Sequence, residues 1–322
     1  MSNTSHIAVL CNNRMAIPAI QALYNMGKLC ALGVPENNTD VLDFCKSLSA
    51  QTGIPLMLLR KENLNAQLGD WLKKKSPDFV FTMTFPWKVP EVTWQSHPGK
   101  FYNFHYGLLP EMRGADPVFE SIRQQKRETG ITIHTVNGGI DKGAIILKQS
   151  LPLESDTTHG LLCTHLSYLA ARILPQLIGV LQAGLSGTDQ NEAMANYYRR
   201  PGPSEVCINW NAQDASSVKA LVNACNPWNK GAYSQWNGWH IRIVEASVNT
   251  EALPDVSTTP GTVLAIDAMN GLIIQCKDNT QLKVNIIYTD EGFMSGYRLE
   301  SFGIKKGQIF TNLQTNQKPI NV

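Results

Sequence analysis

The chain has 322 residues, 43% hydrophobic and 17% charged, with 28 Lys and Arg against 26 Asp and Glu. That length allows two domains with sizeable cores, and the composition excludes a disordered chain. A formal net charge of +2 gives little overall pull on a polyanion, and no apolar run is long enough to span a bilayer.

Residues 1–6 are polar, and the apolar run that follows is broken by Asn12, Asn13 and Arg14, which does not read as a secretory leader. Short β-rich runs follow at 7–11, 29–34, 79–83, 101–105 and 131–136. Helical patterns fall between most of them, at 16–26, 40–52 and 64–75. This alternation predicts a parallel, Rossmann-like sheet covered by helices on both faces. Residues 159–185 read as one long amphipathic helix, with Leu162, Leu166, Leu169 and Ile173 near helical spacing. A polar stretch at 186–193 and the run Y-Y-R-R-P-G-P-S at 197–204 read as a connector. Short alternating strands then recur at 239–246, 261–266, 272–277 and 282–288, and predict a small β-barrel. The expected domains are therefore 1–190, a linker at 191–204, and 205–322. The seven cysteines are odd in number and form no C-x-x-C pair. They read as reduced thiols of a cytoplasmic protein, with no zinc site.

The most informative stretch is F-Y-N-F-H-Y-G-L-L-P-E-M-R-G at 101–114, followed by G-G-I-D-K-G at 138–143. Period-2 geometry sends Asn103 and His105 to the same face of their strand, and a site at the ends of the strands would bring in Asp141. Alone, a strand histidine is usually structural and an Asp between glycines is usually a turn former. His134, in I-T-I-H-T-V, reads as a packed strand residue, and Trp228 as a packing anchor. Arg113 suits either an anionic substrate or the closing of a turn.

The N-x-H, the L-L-P at 108–110 and the later G-x-D-x-G-like loop together resemble the 10-formyltetrahydrofolate-dependent formyltransferases. Residues 220–233 (A-L-V-N-A-C-N-P-W-N-K-G-A-Y) resemble the start of that family's C-terminal domain, so the likeness covers nearly the whole chain. Gly107 departs from the pattern, which usually has Ser before L-L-P. The resemblance implies a formyltransferase domain followed by an OB-like β-barrel, with Asn103, His105 and Asp141 as the catalytic triad. Formyl transfer to an amine develops negative charge on the formyl oxygen and requires a proton to be moved near neutral pH. Asn103 and a protonated His105 are the expected donors to that oxygen. Asp141 would favour the charged imidazole and relay the proton, and no metal is needed.

The same likeness implies a folate pocket lined by Met83, Thr84, Phe85 and Pro86, by Val136, Gly139 and Ile140, and by Leu109. A flat pterin can be read there by main-chain donors and acceptors. Asn12, Arg14 and Arg113 are candidate contacts for the acceptor. The loop at 33–40 holds two acids and no Lys or Arg, and residues 201–322 carry nine Lys and Arg against ten Asp and Glu. A reader of tRNA should be basic there. R-R-P-G-P-S-E-V-C-I-N-W at 199–210 is similar to the linker of amino-sugar formyltransferases. The expected acceptor is thus a small-molecule amine such as a nucleotide-linked amino sugar, with methionyl-tRNA as the alternative. A folate hydrolase using the same triad and a non-catalytic binding module are the readings from other classes. The barrel could also serve as a partner or homodimer surface.

Overall fold

The alternation of β-rich runs and helices builds a seven-stranded sheet in the computed structural model, which describes residues 5–37, 40–251, 253 and 258–312. Its strands are β1 (Ile7–Cys11), β2 (Leu29–Pro35), β3 (Leu56–Leu59), β4 (Phe79–Met83), β5 (Phe101–His105), β7 (Glu128–Thr135) and β8 (Ile145–Pro152). The spatial order is β3-β2-β1-β4-β5-β7-β8. A two-residue strand, β6 (Arg113–Gly114), lies outside it and pairs with β9 (Tyr197–Tyr198). β1 to β5 run parallel to their neighbours, whereas β7 is antiparallel to β5. The expected all-parallel arrangement therefore holds only for the first five strands. Helices α1 (Ile17–Asn25), α2 (Leu42–Thr52) and α3 (Leu64–Lys75) connect the parallel strands, as such crossovers require. α2 ends at Gly53 in the left-handed conformation (φ 73°), which glycine adopts without steric penalty. β1 is fully buried along its length, and Leu10, Leu59, Leu68 and Val80 belong to one apolar cluster. Each such side chain stabilises the fold by about 1.5–3 kcal/mol.

The short helices α4 (Glu91–Gln95) and α5 (Pro117–Arg123) come next in the chain. The long helix expected at 159–185 is two helices, α6 (His159–Arg172) and α7 (Leu174–Gln182), bent by 43° at the break. Pro175 is the cause, because it has no N–H for the carbonyl one turn back and its ring crowds that position. No single helix among the described residues is long and apolar enough to cross a membrane.

The chain separates into two units, the first Met1–Pro117, Thr129–Leu151 and Cys163–Tyr198, the second Val118–Glu128, Pro152–Leu162 and Arg199–Val322. In the second, helix α8 (Ala215–Ala224) is capped by Asp214, whose carboxylate accepts from the Ser217 N–H. Six antiparallel strands follow: β10 (Ala232–Trp236), β11 (Trp239–Val248), β12 (Val263–Asp267), β13 (Gly271–Gln275), β14 (Gln281–Thr289) and β15 (Gly292–Ser295). Asn237 and Gly238, both at positive φ, make the two-residue turn between β10 and β11 that strand twist favours. The sheet order β10-β11-β14-β13-β12 leaves two edges, and one segment bridges both. Thr311 pairs with Gln235 of β10, and Ile309 pairs with Thr262 beside β12. That bridge turns the sheet into a barrel without free edges on those strands. Trp228 lies in this unit with 45% of its surface exposed, its indole N–H donating to the Ala224 carbonyl and its ring edge-on to Phe119.

Candidate active site

Three neighbouring strands place Thr82, Asn103 and His134 in one row, since Asn103 is registered opposite Thr82 on one side and His134 on the other. The Thr82 hydroxyl donates to Asn103 Oδ1 at 2.7 Å, which fixes the carboxamide so that Nδ2 faces the other way. Nδ2 lies 3.1 Å from His134 Nε2. His134 Nδ1 lies 2.9 Å from the Thr135 carbonyl, which can only accept, so Nδ1 carries the hydrogen and Nε2 accepts from Asn103. One N–H of the Asn103 amide is thereby engaged and a second remains.

His105 is buried, with 5% of its surface exposed, two residues along the same strand face. Its Nε2 is 2.6 Å from the Met112 carbonyl and therefore donates, leaving Nδ1 to face Asp141 Oδ1 at 3.6 Å. The same Oδ1 is 3.6 Å from His134 Nε2, and Asp141 Oδ2 accepts from the Gly114 N–H at 3.0 Å. One carboxylate oxygen thus lies beside two imidazoles while the other accepts from a backbone amide.

The loop that carries Asp141 needs its glycine. Asp141 itself is left-handed (φ 54°), and a Cβ at Gly143 would come within 1.7 Å of the Thr135 carbonyl oxygen. Gly107 is equally confined, since a Cβ there would meet Pro117 Cβ at 2.6 Å and His105 Nε2 at 3.1 Å. The departure from serine at this position therefore has a steric reason in this chain.

Burial pushes His105 below the ordinary histidine value, and the opposing pull of Asp141 and the Met112 carbonyl does not cancel it. The expectation of a charged His105 is corrected accordingly: the neutral ring is favoured, and its Nε2–H is engaged by Met112. Burial works to raise Asp141, but the Gly114 N–H and the two neighbouring imidazoles, which attract the carboxylate once they take up protons on acidification, outweigh it and hold the carboxyl below the usual aspartate range.

The other expected residues fall in different places. Met83 and Leu109 are fully buried, and the Leu109 N–H donates to Thr132. Phe85 and Val136 are half-buried and pack against one apolar cluster with Trp87, whose ring is edge-on to Phe85 at 5.5 Å. Thr84 is left-handed (φ 54°), Pro86 and Ile140 are exposed, and the Gly139 N–H donates to Asn137. Asn12 is half-buried at the end of β1. Arg14 is exposed, and its backbone N–H and Nε both donate to the Asp40 carboxylate. Asn38 and Thr39 of that acidic loop lie outside the described residues.

Arg113 is corrected as a substrate contact. Its side chain is fully buried and its guanidinium donates to Gln190, Glu192 and Tyr197, which leaves no face for a ligand. His134, read from sequence as a packed strand residue, is buried on β7 (3% exposed) and in addition contacts Asn103 and Asp141. Its signal was the even spacing of Thr132 and His134 on β7, but the register opposite Asn103 is not written in either strand alone.

Residues 12–178, more than half of the chain, match the family model described as Formyl transferase. Residues 202–296 match the model described as Formyl transferase, C-terminal domain. Methionyl-tRNA formyltransferase of Marinobacter nauticus is 32% identical over 240 residues, covering 73% of this chain and 74% of its own. HypX from Aquifex aeolicus, solved in complex with tetrahydrofolic acid, superposes with a TM-score of 0.64 at 17% identity. That alignment takes in 95% of this chain and 49% of HypX, so the chain spans about half the length of that protein. The N-formyltransferase from Helicobacter canadensis, in complex with folinic acid and dTDP-3-aminofucose, gives a TM-score of 0.66 at 15% identity, over 86% and 98% of the two chains. The likeness to these two structures is one of fold. With both family domains matched in order along the sequence, the chain belongs to the formyl transferase family.

Proposed function

We propose that the protein moves a formyl group from 10-formyltetrahydrofolate to the primary amine of a small molecule, a nucleotide-linked amino sugar in particular. The observation that carries the reaction is the carboxylate of Asp141, 3.6 Å from the rings of both His105 and His134, beside an asparagine amide held at both ends. The folate supplies an activated formyl carbon. The remaining Asn103 N–H donates to the formyl oxygen as negative charge develops on it. His105 Nδ1, unprotonated at neutral pH, accepts the proton of the attacking amine. Asp141 stabilises the imidazolium that results, and the proton is then available for the departing nitrogen.

The residues fit a pterin. Phe85, Trp87 and Val136 offer apolar surface around one cluster. Among the described residues, the main-chain groups of Phe85, Trp87 and Lys88 make no hydrogen bond, which leaves donors and acceptors for a flat heterocycle.

The acceptor reading is supported by charge. Asp40 neutralises Arg14 in the loop region where a tRNA reader needs free basic groups. The sequence from 201 to 322 has nine Lys and Arg against ten Asp and Glu. Methionyl-tRNA is the second reading, favoured by the 32% identity to the Marinobacter nauticus enzyme. The test is tetrahydrofolate release from 10-formyltetrahydrofolate with a panel of nucleotide-linked amino sugars, with charged initiator tRNA, or with no acceptor, and with His105→Ala as control. Turnover with an amino sugar alone supports the proposal. Turnover with tRNA alone replaces the acceptor, and acceptor-independent release lost in His105→Ala identifies a hydrolase.

A further inference from the structure

Asp141 has a left-handed backbone (φ 54°), uncommon for a residue with a side chain though aspartate tolerates it better than most, and its surroundings help to hold it. The surroundings are supplied from the stretch after α7. Gln190 Nε2 donates to the Asp141 carbonyl at 2.7 Å and to the Gly143 carbonyl at 2.8 Å, clamping the loop on both sides of Lys142. Gln190 Oε1 accepts from Arg113 Nε and Nη2 at 3.0 and 2.7 Å. The amide has a single workable orientation, because carbonyls only accept and a guanidinium only donates.

Arg113 in turn holds Glu192 with both terminal nitrogens, at 3.0 and 2.8 Å, and Glu192 reaches Lys142 at 3.4 Å. The chain around Arg113 is also paired: its N–H donates to the Asn196 carbonyl and Ala115 N–H to that of Tyr198. A Cβ at Gly114 would lie 2.0 Å from the Tyr198 carbonyl oxygen, so β6 and β9 are in intimate contact just where the Gly114 N–H binds the Asp141 carboxylate. Residues 190–198 form a strap that grips the Asp141 loop backbone from one side and residues 113–115 from the other.

We propose that Gln190 is a positioning residue for formyl transfer, setting the distance between the Asp141 carboxylate and the His105 ring through the Arg113–Gln190 brace. The proposal rests on the role given to Asp141 above. Gln190 touches no reacting atom; it acts by holding a loop whose own sequence, G-G-I-D-K-G, has little stiffness. Of the titratable and charged groups, Asp141 and His134 face the His105 ring, and Asp141 alone of the two raises its affinity for protons. Release of the loop therefore removes that pull.

The experiment follows the His105 ring by NMR across a pH titration of histidine-labelled protein, alongside kcat and KM. Two variants are used: Gln190→Met, which keeps the length without any hydrogen bond, and Gln190→Glu, which keeps the acceptor for Arg113 and loses both donors. The His105 titration is expected to move to lower pH in both. The kcat should fall between about ten- and hundred-fold, as misplacement of a reacting group by an ångström does, with KM for the folate changed less than about three-fold. A folded variant with unchanged His105 titration and unchanged kcat overturns the proposal. A shifted titration with unchanged kcat keeps the brace and removes Asp141 from the reaction, which separates the two failures. If Gln190→Met does not fold, Gln190→Glu decides, since it preserves the pairing of the buried guanidinium.

Discussion

Asn103 and His134 stand directly opposite each other on antiparallel strands, and the asparagine amide donates to the histidine Nε2 across 3.1 Å. The Thr135 carbonyl fixes which nitrogen of His134 is bare, and Thr82 and that nitrogen together fix which way the amide points. Replacing His134 by alanine should leave the fold intact and lower kcat about ten-fold, the worth of one oriented hydrogen bond of 1–1.5 kcal/mol. His134→Gln, which restores an acceptor, should recover part of the loss. Steady-state kinetics on both variants check this.

The lowered His105 value sets the pH dependence. A group that must be neutral to accept a proton gives a rate that rises with pH through its own titration, here below the ordinary 6.5. Asp141→Asn deletes the carboxylate that opposes burial, so the acid limb of kcat/KM should move to still lower pH while kcat falls by about 10²–10⁴. A limb that stays in place in Asp141→Asn would separate the two residues.

Stability has the same direction. Protonation of His105 and of Asp141 is disfavoured in the folded chain, so each loses stabilising effect as pH falls through its folded value. Urea unfolding of wild type should therefore show decreasing stability on acidification, and Asp141→Asn should lose the part of that slope that falls below about pH 4, where the aspartate titrates.

Gly107→Ser places a side chain against Pro117 Cβ, a rigid neighbour that cannot turn aside. The expected cost is about 1–3 kcal/mol of overpacking, seen as a lower urea midpoint. An accompanying displacement of His105 would appear as a change in its NMR titration.

Phe310 is 1% exposed on the segment that joins the two edge strands of the barrel, with its ring 6.2 Å from Trp210. Phe310→Ala should destabilise the second unit by about 3–5 kcal/mol. Protease susceptibility of that unit, compared with the first, measures it.

The strands β1, β4 and β5 and the N-x-H pattern were legible because they depend on neighbours one to four residues away, where alternation and turn chemistry act. β3 does not read as a strand from sequence because a four-residue run such as L-M-L-L gives no decisive period, and β8 does not because I-I-L-K-Q-S-L-P opens with three consecutive apolar residues and ends in proline. Pro175 was visible in the sequence, yet the apolar repeat on both sides of it read as continuous.

By itself the sequence determined the residue types of the site and the strand face shared by Asn103 and His105, because side-chain alternation is a local property of the extended backbone. Tertiary structure alone decided that His134 faces Asn103, that Asp141 lies between two imidazoles, and that Arg113 is buried under residues 190–197. Strand register, desolvation and a strap from 49 residues downstream arise from long-range packing, and that burial is what lowers the His105 value.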